Sequence, residues 1–314
     1  MFDVAVSELT SSRCDLSQEI TWLTAAGVES ISLWRPKVTD VGAAAAARLV
    51  GDAGIRVSSL QSAGGFTGGD GRSFAESIDD AIEAIGVAAV VGAPCLVIHS
   101  GCRGGHTKSH ASRLLVQAIE ALAPTASQAG VALALKPVHP LAAPGCSFLA
   151  GLGDALDLVE RFDDVAVRLA LDLWHFGHEA GPLEMLPRLA AASAVVQVAD
   201  RCGPPAAGGD RLPVGHGSLD LEALVSGLVD HGYRGPFEFD PVGEAVEILG
   251  YEGVWQETRF VTDAWADRHA ARPGTMVRTG FEGERLPTAR GHCLAGSGSG
   301  GRRSHASSHT GSPG

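Results

Sequence analysis

The stretch CLVIHSGCRGGHTKSHASRLLVQAIEALAPTASQAGVALALK, residues 95–136, decides the fold. It opens with an apolar run at 95–99, continues through a helical pattern over 107–129 and closes with a second apolar run at 132–136. Apolar residues at nearly every position indicate strands that are buried on both faces, as in a parallel sheet covered by helices. The order strand, helix, strand therefore predicts a right-handed βαβ unit.

The same alternation runs through most of the chain. We predict eight strands: 2–6, 30–34, 57–61, 95–99, 132–136, 168–172, 195–199 and 236–240. Helical patterns follow them over 16–26, 41–53, 74–92, 107–129, 150–161, 182–192, 219–231 and 247–269. Eight such units indicate an α/β protein of the (β/α)8 barrel type, whose usual size is roughly 270 residues. A doubly wound open sheet is the competing architecture.

Glycine spacing argues against that open sheet. The segment GGFTGGDG (64–71) is rich in glycine but lacks the GxGxxG spacing of a nucleotide-binding turn, so we interpret it as a βα loop. We predict one barrel domain over residues 1–271. The remaining segment, 272–314, is rich in Gly, Ser, Arg and His without periodicity, which predicts a disordered tail. A non-functional extension is favoured there over a docking arm.

Composition and charge exclude several classes of partner. The 314 residues are 45% hydrophobic and carry a formal net charge of −12, which disfavours binding to nucleic acid. No apolar run is long enough to span a bilayer, and the N-terminus lacks the pattern of a secretion signal. Six scattered cysteines form no CxxC pair, which is typical of reduced thiols. We expect a cytoplasmic protein that binds a small molecule and neither nucleic acid nor a membrane.

Polar side chains follow the predicted strands four to eight. In a barrel of this type, chemistry takes place at the C-terminal ends of the strands. A single Asp there often only caps a helix, and an isolated His often only packs, but five consecutive strands with polar tips indicate a site. Carboxylates with an amide oxygen are ligands for a hard divalent cation. The polar tip residues are His99, Lys136, His139, Asp172, His175, Gln197, Asp200, Arg201, Asp210, Arg211, Glu238 and Asp240.

Several of these segments also resemble one known family. The chain is similar, from about residue 3 to 270, to the sugar phosphate isomerase/epimerase proteins with a xylose-isomerase-like TIM barrel. The resemblance is carried by SLWRPK (32–37), GGFTGGDGR (64–72), IHSGCRGGHTKSHA (98–111), KPVHP (136–140), LDLWHFG (171–177), VVQVADR (195–201), DRLPVGHGSLDL (210–221) and GYRGPFEFD (232–240). It implies an enzyme of carbohydrate metabolism. Dimers are common in the family, so a homodimer is compatible with the resemblance, although the sequence shows no interface signature.

The resemblance also implies a divalent metal site. Its members bind Mn²⁺ or Mg²⁺ through four residues from strands five to eight, which correspond here to Lys136, Asp172, Gln197 and Asp240. Asp172, Gln197 and Asp240 can serve as metal ligands, whereas Lys136 stands where the family motif EPxHP has Glu. An ammonium group has no lone pair to offer a cation and repels it. We therefore expect weak binding of Mn²⁺ or Mg²⁺, or none.

Three interpretations of Lys136 remain open, beside a salt bridge to a neighbouring loop. Its charge replaces the metal and polarises a substrate carbonyl; it acts as a base or Schiff-base former with a lowered pKa; or it disables the ancestral chemistry. The predicted catalytic residues are Lys136, His175 and Asp240. The predicted substrate-binding residues are His99, His139, Trp174, Arg201 and Arg211.

These residues lead to one preferred function and two alternatives. We predict an isomerase or epimerase that acts on a small polyol or hydroxy-carbonyl compound by proton transfer next to a carbonyl, with an altered, lysine-containing metal site. A lyase or dehydratase would use the same carbon-acid chemistry in the same barrel. A non-catalytic, ligand-binding barrel that has lost its metal is the alternative from a different class.

Overall fold

Eight parallel strands close into a barrel in the order of the chain. The computed structural model describes residues 2–142, 147–162, 166–178 and 181–272. Each strand pairs with its sequence neighbours, and β1 pairs with β8, which confirms the predicted (β/α)8 fold. The strands are β1 (Val4–Ser7), β2 (Ser30–Trp34), β3 (Arg56–Gly64), β4 (Cys95–His99), β5 (Ala132–Lys136), β6 (Val167–Asp172), β7 (Ser193–Val198) and β8 (Phe237–Phe239).

Helices follow each strand on the outside of the barrel. Their bounds are α1 (Leu16–Ala25), α2 (Arg35–Val41), α3 (Ala43–Asp52), α4 (Phe74–Val91), α5 (Lys108–Ala129), α6 (Leu152–Phe162), α7 (Leu173–Phe176), α8 (Gly181–Ala192), α9 (Leu221–Asp230) and α10 (Glu244–Ala270). Within α10 the backbone kinks at Gly250, whose φ of 70° is left-handed. In the described part of the chain, no helix combines the length and the hydropathy needed to cross a membrane.

Two short helices, α2 and α7, were not expected from periodicity. Helix α2 begins directly after β2 with Pro36 in its first turn, a position where the missing N–H of proline costs no hydrogen bond. Helix α7 is a single turn whose N-cap is Asp172, which accepts a hydrogen bond from the Trp174 N–H at 3.0 Å. Both segments are too short to display a 3.6-residue pattern over two turns, so hydrophobic periodicity predicts neither helix.

Strand alternation divides the core into two regions. Large aliphatic and aromatic side chains from alternate strand positions pack against the helices in the outer layer. Side chains at the intervening positions point into the barrel, where Cys95, Val97, Ala134, Ala170 and Val195 form a smaller cluster. Two residues further along each strand, the same parity directs a polar side chain into the C-terminal mouth: His99 of β4, Lys136 of β5, Asp172 of β6 and Gln197 of β7.

At the C-terminal end, the described part of the chain stops at Arg272. Helix α10 ends at Ala270, next to the predicted domain boundary at 271. The predicted tail, 272–314, lies outside the described residues except for its first residue, Arg272.

Candidate active site

Lys136 is the last residue of β5 and points into the barrel mouth. Its Nζ lies 2.8 Å from Asp172 Oδ2 and donates a hydrogen bond of 2.5 Å to Gln197 Oε1. The side chain is only 9% exposed, and the two acceptors are fully buried. The ammonium group is therefore fixed between the tips of β6 and β7. A buried cation with a carboxylate partner keeps its charge at a lower cost than an isolated one.

Arg211 supplies a second positive charge to the same cluster. Its Nη2 donates to Asp172 Oδ1 at 3.1 Å and to Asp240 Oδ1 at 2.6 Å, and its Nε donates to the Asp240 carbonyl at 3.2 Å. A backbone bridge between Arg211 and Val242 holds this loop against the segment after β8. The guanidinium thus spans the two carboxylates, while Lys136 approaches Asp172 from its other oxygen.

The two carboxyl groups ionise differently. Burial alone would raise the pKa of Asp172, but the charges of Arg211 and Lys136 outweigh it and hold the pKa well below its ordinary value. Burial raises the pKa of Asp240 to about 7, although Arg211 opposes this shift, and the neighbouring charge of Asp172 adds to it. Asp172 is consequently a permanent anion near neutral pH, and Asp240 changes its protonation state there.

Two neutral imidazoles complete the mouth. Burial, together with the charge of Lys136, lowers the pKa of His175 to about 4 and that of His99 to about 3. His175 Nε2 lies 3.6 Å from Asp172 Oδ2. Within the described ranges, its buried Nδ1 and this same Asp172 oxygen have no aligned hydrogen-bond partner. Asp172 Oδ2 is nevertheless occupied by the Lys136 ammonium at 2.8 Å, so His175 Nδ1 is the buried polar atom of the pair that a ligand could still satisfy.

A polar network inside the barrel supports Gln197. Its Nε2 donates to Glu238 Oε2 at 3.3 Å, and the other Glu238 oxygen accepts from Ser58 Oγ at 2.7 Å. Gln61 Nε2 also donates to Glu238 Oε2 at 3.3 Å. Glu238 therefore fixes the amide so that its oxygen faces Lys136. The sequence showed Glu238 two residues before Asp240, but the partners from β3 carried no recognisable signal.

The remaining predicted substrate-binding residues lie around Trp174. The Arg211 guanidinium carbon lies 5.1 Å from the Trp174 ring centroid, and that of Arg201 lies 6.0 Å from it. Arg201 is buried and donates to the backbone carbonyls of Trp174 and Gly203. His139 is half-buried, with its ring 6.1 Å from that of Phe176. The structure thus brings Arg211 into the carboxylate cluster, while Arg201 braces α7 and the next loop through these carbonyls. Contacts of these residues with a substrate remain predictions.

A second buried cluster lies outside the mouth and was missed from sequence. Lys37 of α2 contacts Glu19 of α1, lies 3.9 Å from Glu8 and donates to the Ser11 carbonyl at 3.0 Å. Burial raises the pKa of Glu8 to about 8, and the charge of Glu19 adds to the shift. The signal was present in Glu8, a carboxylate directly after β1. This cluster faces the helix layer and connects β1, α1 and α2.

The donor set of the mouth does not fit a divalent cation. Among the described residues, no group of three or more His, Cys, Asp or Glu side chains is arranged to hold a metal. The oxygens that would serve as ligands already face the cations: Asp172 contacts Lys136 and Arg211, and Gln197 Oε1 accepts from Lys136. An ammonium group cannot serve as the missing ligand.

Comparison with known proteins places the chain in a family. A family model described as xylose isomerase-like TIM barrel matches residues 20–258. The closed (β/α)8 barrel and its strand-tip cluster agree with this match. The chain therefore belongs to the xylose isomerase-like TIM barrel family, as the resemblance implied.

Solved structures show the same fold. A protein from Sinorhizobium meliloti 1021 is 25% identical, with a TM-score of 0.68 over 85% of this chain and 97% of that one. The IolI protein, solved with a bound zinc atom, is 19% identical, with a TM-score of 0.72 over 86% and 100%. An L-ribulose 3-epimerase is 18% identical, with a TM-score of 0.69 over 86% and 96%. No curated protein matches the chain at a significant level.

Proposed function

We propose that the protein is an isomerase or epimerase that moves a proton next to the carbonyl group of a small polyol or hydroxy-carbonyl compound. The observation that carries the proposal is the position of the Lys136 ammonium, 2.8 Å from Asp172 at the mouth of the barrel. A fixed cation in a water-poor site stabilises the oxyanion that forms when a proton leaves the adjacent carbon. The family match and the epimerase among the structural neighbours support this class of reaction.

Each residue of the mouth has a separate role in the proposed proton transfer. The Asp240 carboxylate removes the proton from the carbon. The C–H electron pair forms the new C=C bond and the carbonyl π pair moves to the oxygen, giving an enediolate that faces Lys136 and Arg211. Delivery of a proton from solvent water to the opposite face of the same carbon, with release of the Asp240 proton to solvent, gives the epimer. Return of the Asp240 proton to the neighbouring carbon, after neutral His175 has moved a proton between the two oxygens, gives the isomer. No net oxidation or added reactant is required.

Hydrogen exchange with solvent tests this function directly. The natural protein is incubated in D₂O with a panel of aldoses, ketoses, inosose-type ketones and hydroxy-keto acids, and deuterium at carbon is followed by NMR. We expect exchange in at least one compound, with a loss of about 100-fold or more in Lys136→Met. Lys108→Met is the matched control, because Lys108 forms an exposed ion pair with Asp154. Unchanged exchange in Lys136→Met would contradict the role of Lys136.

The alternative of a ligand-binding barrel is favoured by one specific observation. Lys136 and Arg211 already neutralise Asp172 and Asp240, so the site is saturated without a substrate. The same NMR panel separates the functions. Line broadening of a compound without deuterium incorporation indicates binding alone, and loss of water from the compound indicates a dehydratase.

A further inference from the structure

We propose that Lys136 and Arg211 act as a pair of built-in cations that together close the strand-tip oxygens to divalent metal ions. The two side chains carry two positive charges, which is the charge of one divalent ion. They contact the two carboxylates of the mouth and the amide oxygen of Gln197. The role of Arg211 is therefore not substrate binding alone: it holds Asp172 and Asp240 in a fixed, neutralised arrangement.

The contacts divide the oxygens between the two cations. Lys136 takes Asp172 Oδ2 and Gln197 Oε1, while Arg211 takes Asp172 Oδ1 and Asp240 Oδ1. Asp172 is shared, with one cation on each carboxylate oxygen. A metal ion that displaced Lys136 alone would still find Asp172 and Asp240 bridged by a guanidinium. Displacing Arg211 alone would leave Lys136 on the other two oxygens.

Both cations are held in place by the fold. Lys136 is the final residue of β5, pairs in register with His99 of β4 and has little freedom to leave the barrel. Arg211 is fixed by its backbone bridge to Val242. Its guanidinium also packs over the Trp174 ring, and the face of an indole ring attracts a cation. Removal of one partner from a buried ion pair leaves an uncompensated charge, so neither cation swings away readily.

A metal titration of charge variants tests the pair. Mn²⁺ binding is measured by calorimetry and by the change in melting temperature for the natural protein, Lys136→Glu, Arg211→Gln and the double variant Lys136→Glu/Arg211→Gln. We expect binding in the double variant that is about 100-fold or more tighter than in either single variant, and none in the natural protein. The matched control is Lys108→Glu/Arg188→Gln, which makes the same charge changes at exposed ion pairs.

Every outcome of this titration is informative. Tight Mn²⁺ binding by the natural protein would overturn the proposal, and so would Lys136→Glu binding as tightly as the double variant. A folded double variant that binds no better than the control would also overturn it. If the added carboxylate prevents folding, the double variant Lys136→Gln/Arg211→Gln is used in place of Lys136→Glu/Arg211→Gln. It should again bind Mn²⁺ more tightly than either of its single variants. The titration contains no sugar, so its result does not depend on whether the proposed reaction is correct.

Discussion

Asp240 experiences two opposing effects on its ionisation. Burial favours the neutral acid, whereas the charge of Arg211 and its hydrogen bond to Asp240 Oδ1 favour the carboxylate. The result is a pKa of about 7, which is suited to a general base near neutral pH. Asp172, held between two cations, lacks this property, and the two carboxyl groups therefore have separate roles.

The pH dependence of activity follows from this difference. A carboxylate base is active only when ionised, so kcat/KM for exchange should fall tenfold per unit as the pH drops below about 7. This pH dependence rests on the proposed function. It is checked by measuring exchange rates from pH 5 to 9 with a substrate identified in the NMR panel. Asp240→Asn should abolish the exchange. A profile that is flat across neutral pH would contradict the assignment of Asp240 as the base.

The sequence predicted which residues meet at the mouth but not how they pair. Lys136, Asp172 and Gln197 were predictable because buried strands end at a common edge and alternate strictly. Arg211 lies in a loop whose course is fixed by bridges between residues far apart in sequence, such as Arg211 with Val242. Periodicity contains no information about such a loop, so its contact with both carboxylates could not be derived.

Segments β1, α1 and α2 are joined by charges rather than by apolar contacts alone. Lys37 is 5% exposed and lies between Glu8 and Glu19, two carboxyl groups that share a single cation. Burial raises the pKa of both carboxyls. The strands and long helices were predictable from apolar patterns, but this cluster was not, because its members come from α1, α2 and the segment after β1, and only packing brings them together.

Removing the shared cation should destabilise these elements. Lys37→Met leaves two buried carboxyl groups without a counter-ion, which should lower the free energy of unfolding by about 3–5 kcal/mol at pH 8. The loss should shrink toward pH 5, because carboxyls with raised pKa values in the folded state bind protons there and become neutral.

Urea denaturation at both pH values measures this effect. Arg13→Ala is the control: its ion pair with Glu247 is exposed, so its removal should leave the free energy of unfolding nearly unchanged. A loss for Lys37→Met that matches the control would show that the cluster does not stabilise the fold.

The loops after β3 and β4 touch through glycine. A Cβ atom on Gly101, whose φ is 76°, would lie 2.8 Å from Gly65 Cα. Gly105 has a similar φ of 82°, but open space surrounds its Cα. Gly101→Ala should therefore lower the free energy of unfolding by about 1–3 kcal/mol more than Gly105→Ala. Both substitutions strain a left-handed backbone, but only Gly101→Ala forces the two loops apart. Equal melting temperatures of the two variants would contradict the close contact.

The net charge of the whole molecule governs which partners it attracts. At −12, the chain repels the phosphates of nucleic acid at long range. Fluorescence anisotropy with labelled duplex DNA, including one with an abasic position, should show no binding at physiological salt. Binding that strengthens as the salt is lowered would contradict this expectation.

The closed barrel gives the molecule one mouth in which two carboxylates face two side-chain cations. Crystals of the natural protein grown in excess MnCl₂ and measured at the manganese absorption edge test that arrangement most directly. We predict no anomalous peak among Asp172, Gln197 and Asp240, with Lys136 and Arg211 in contact with the carboxylates. An anomalous peak at that position, with either cation displaced from Asp172, would contradict it.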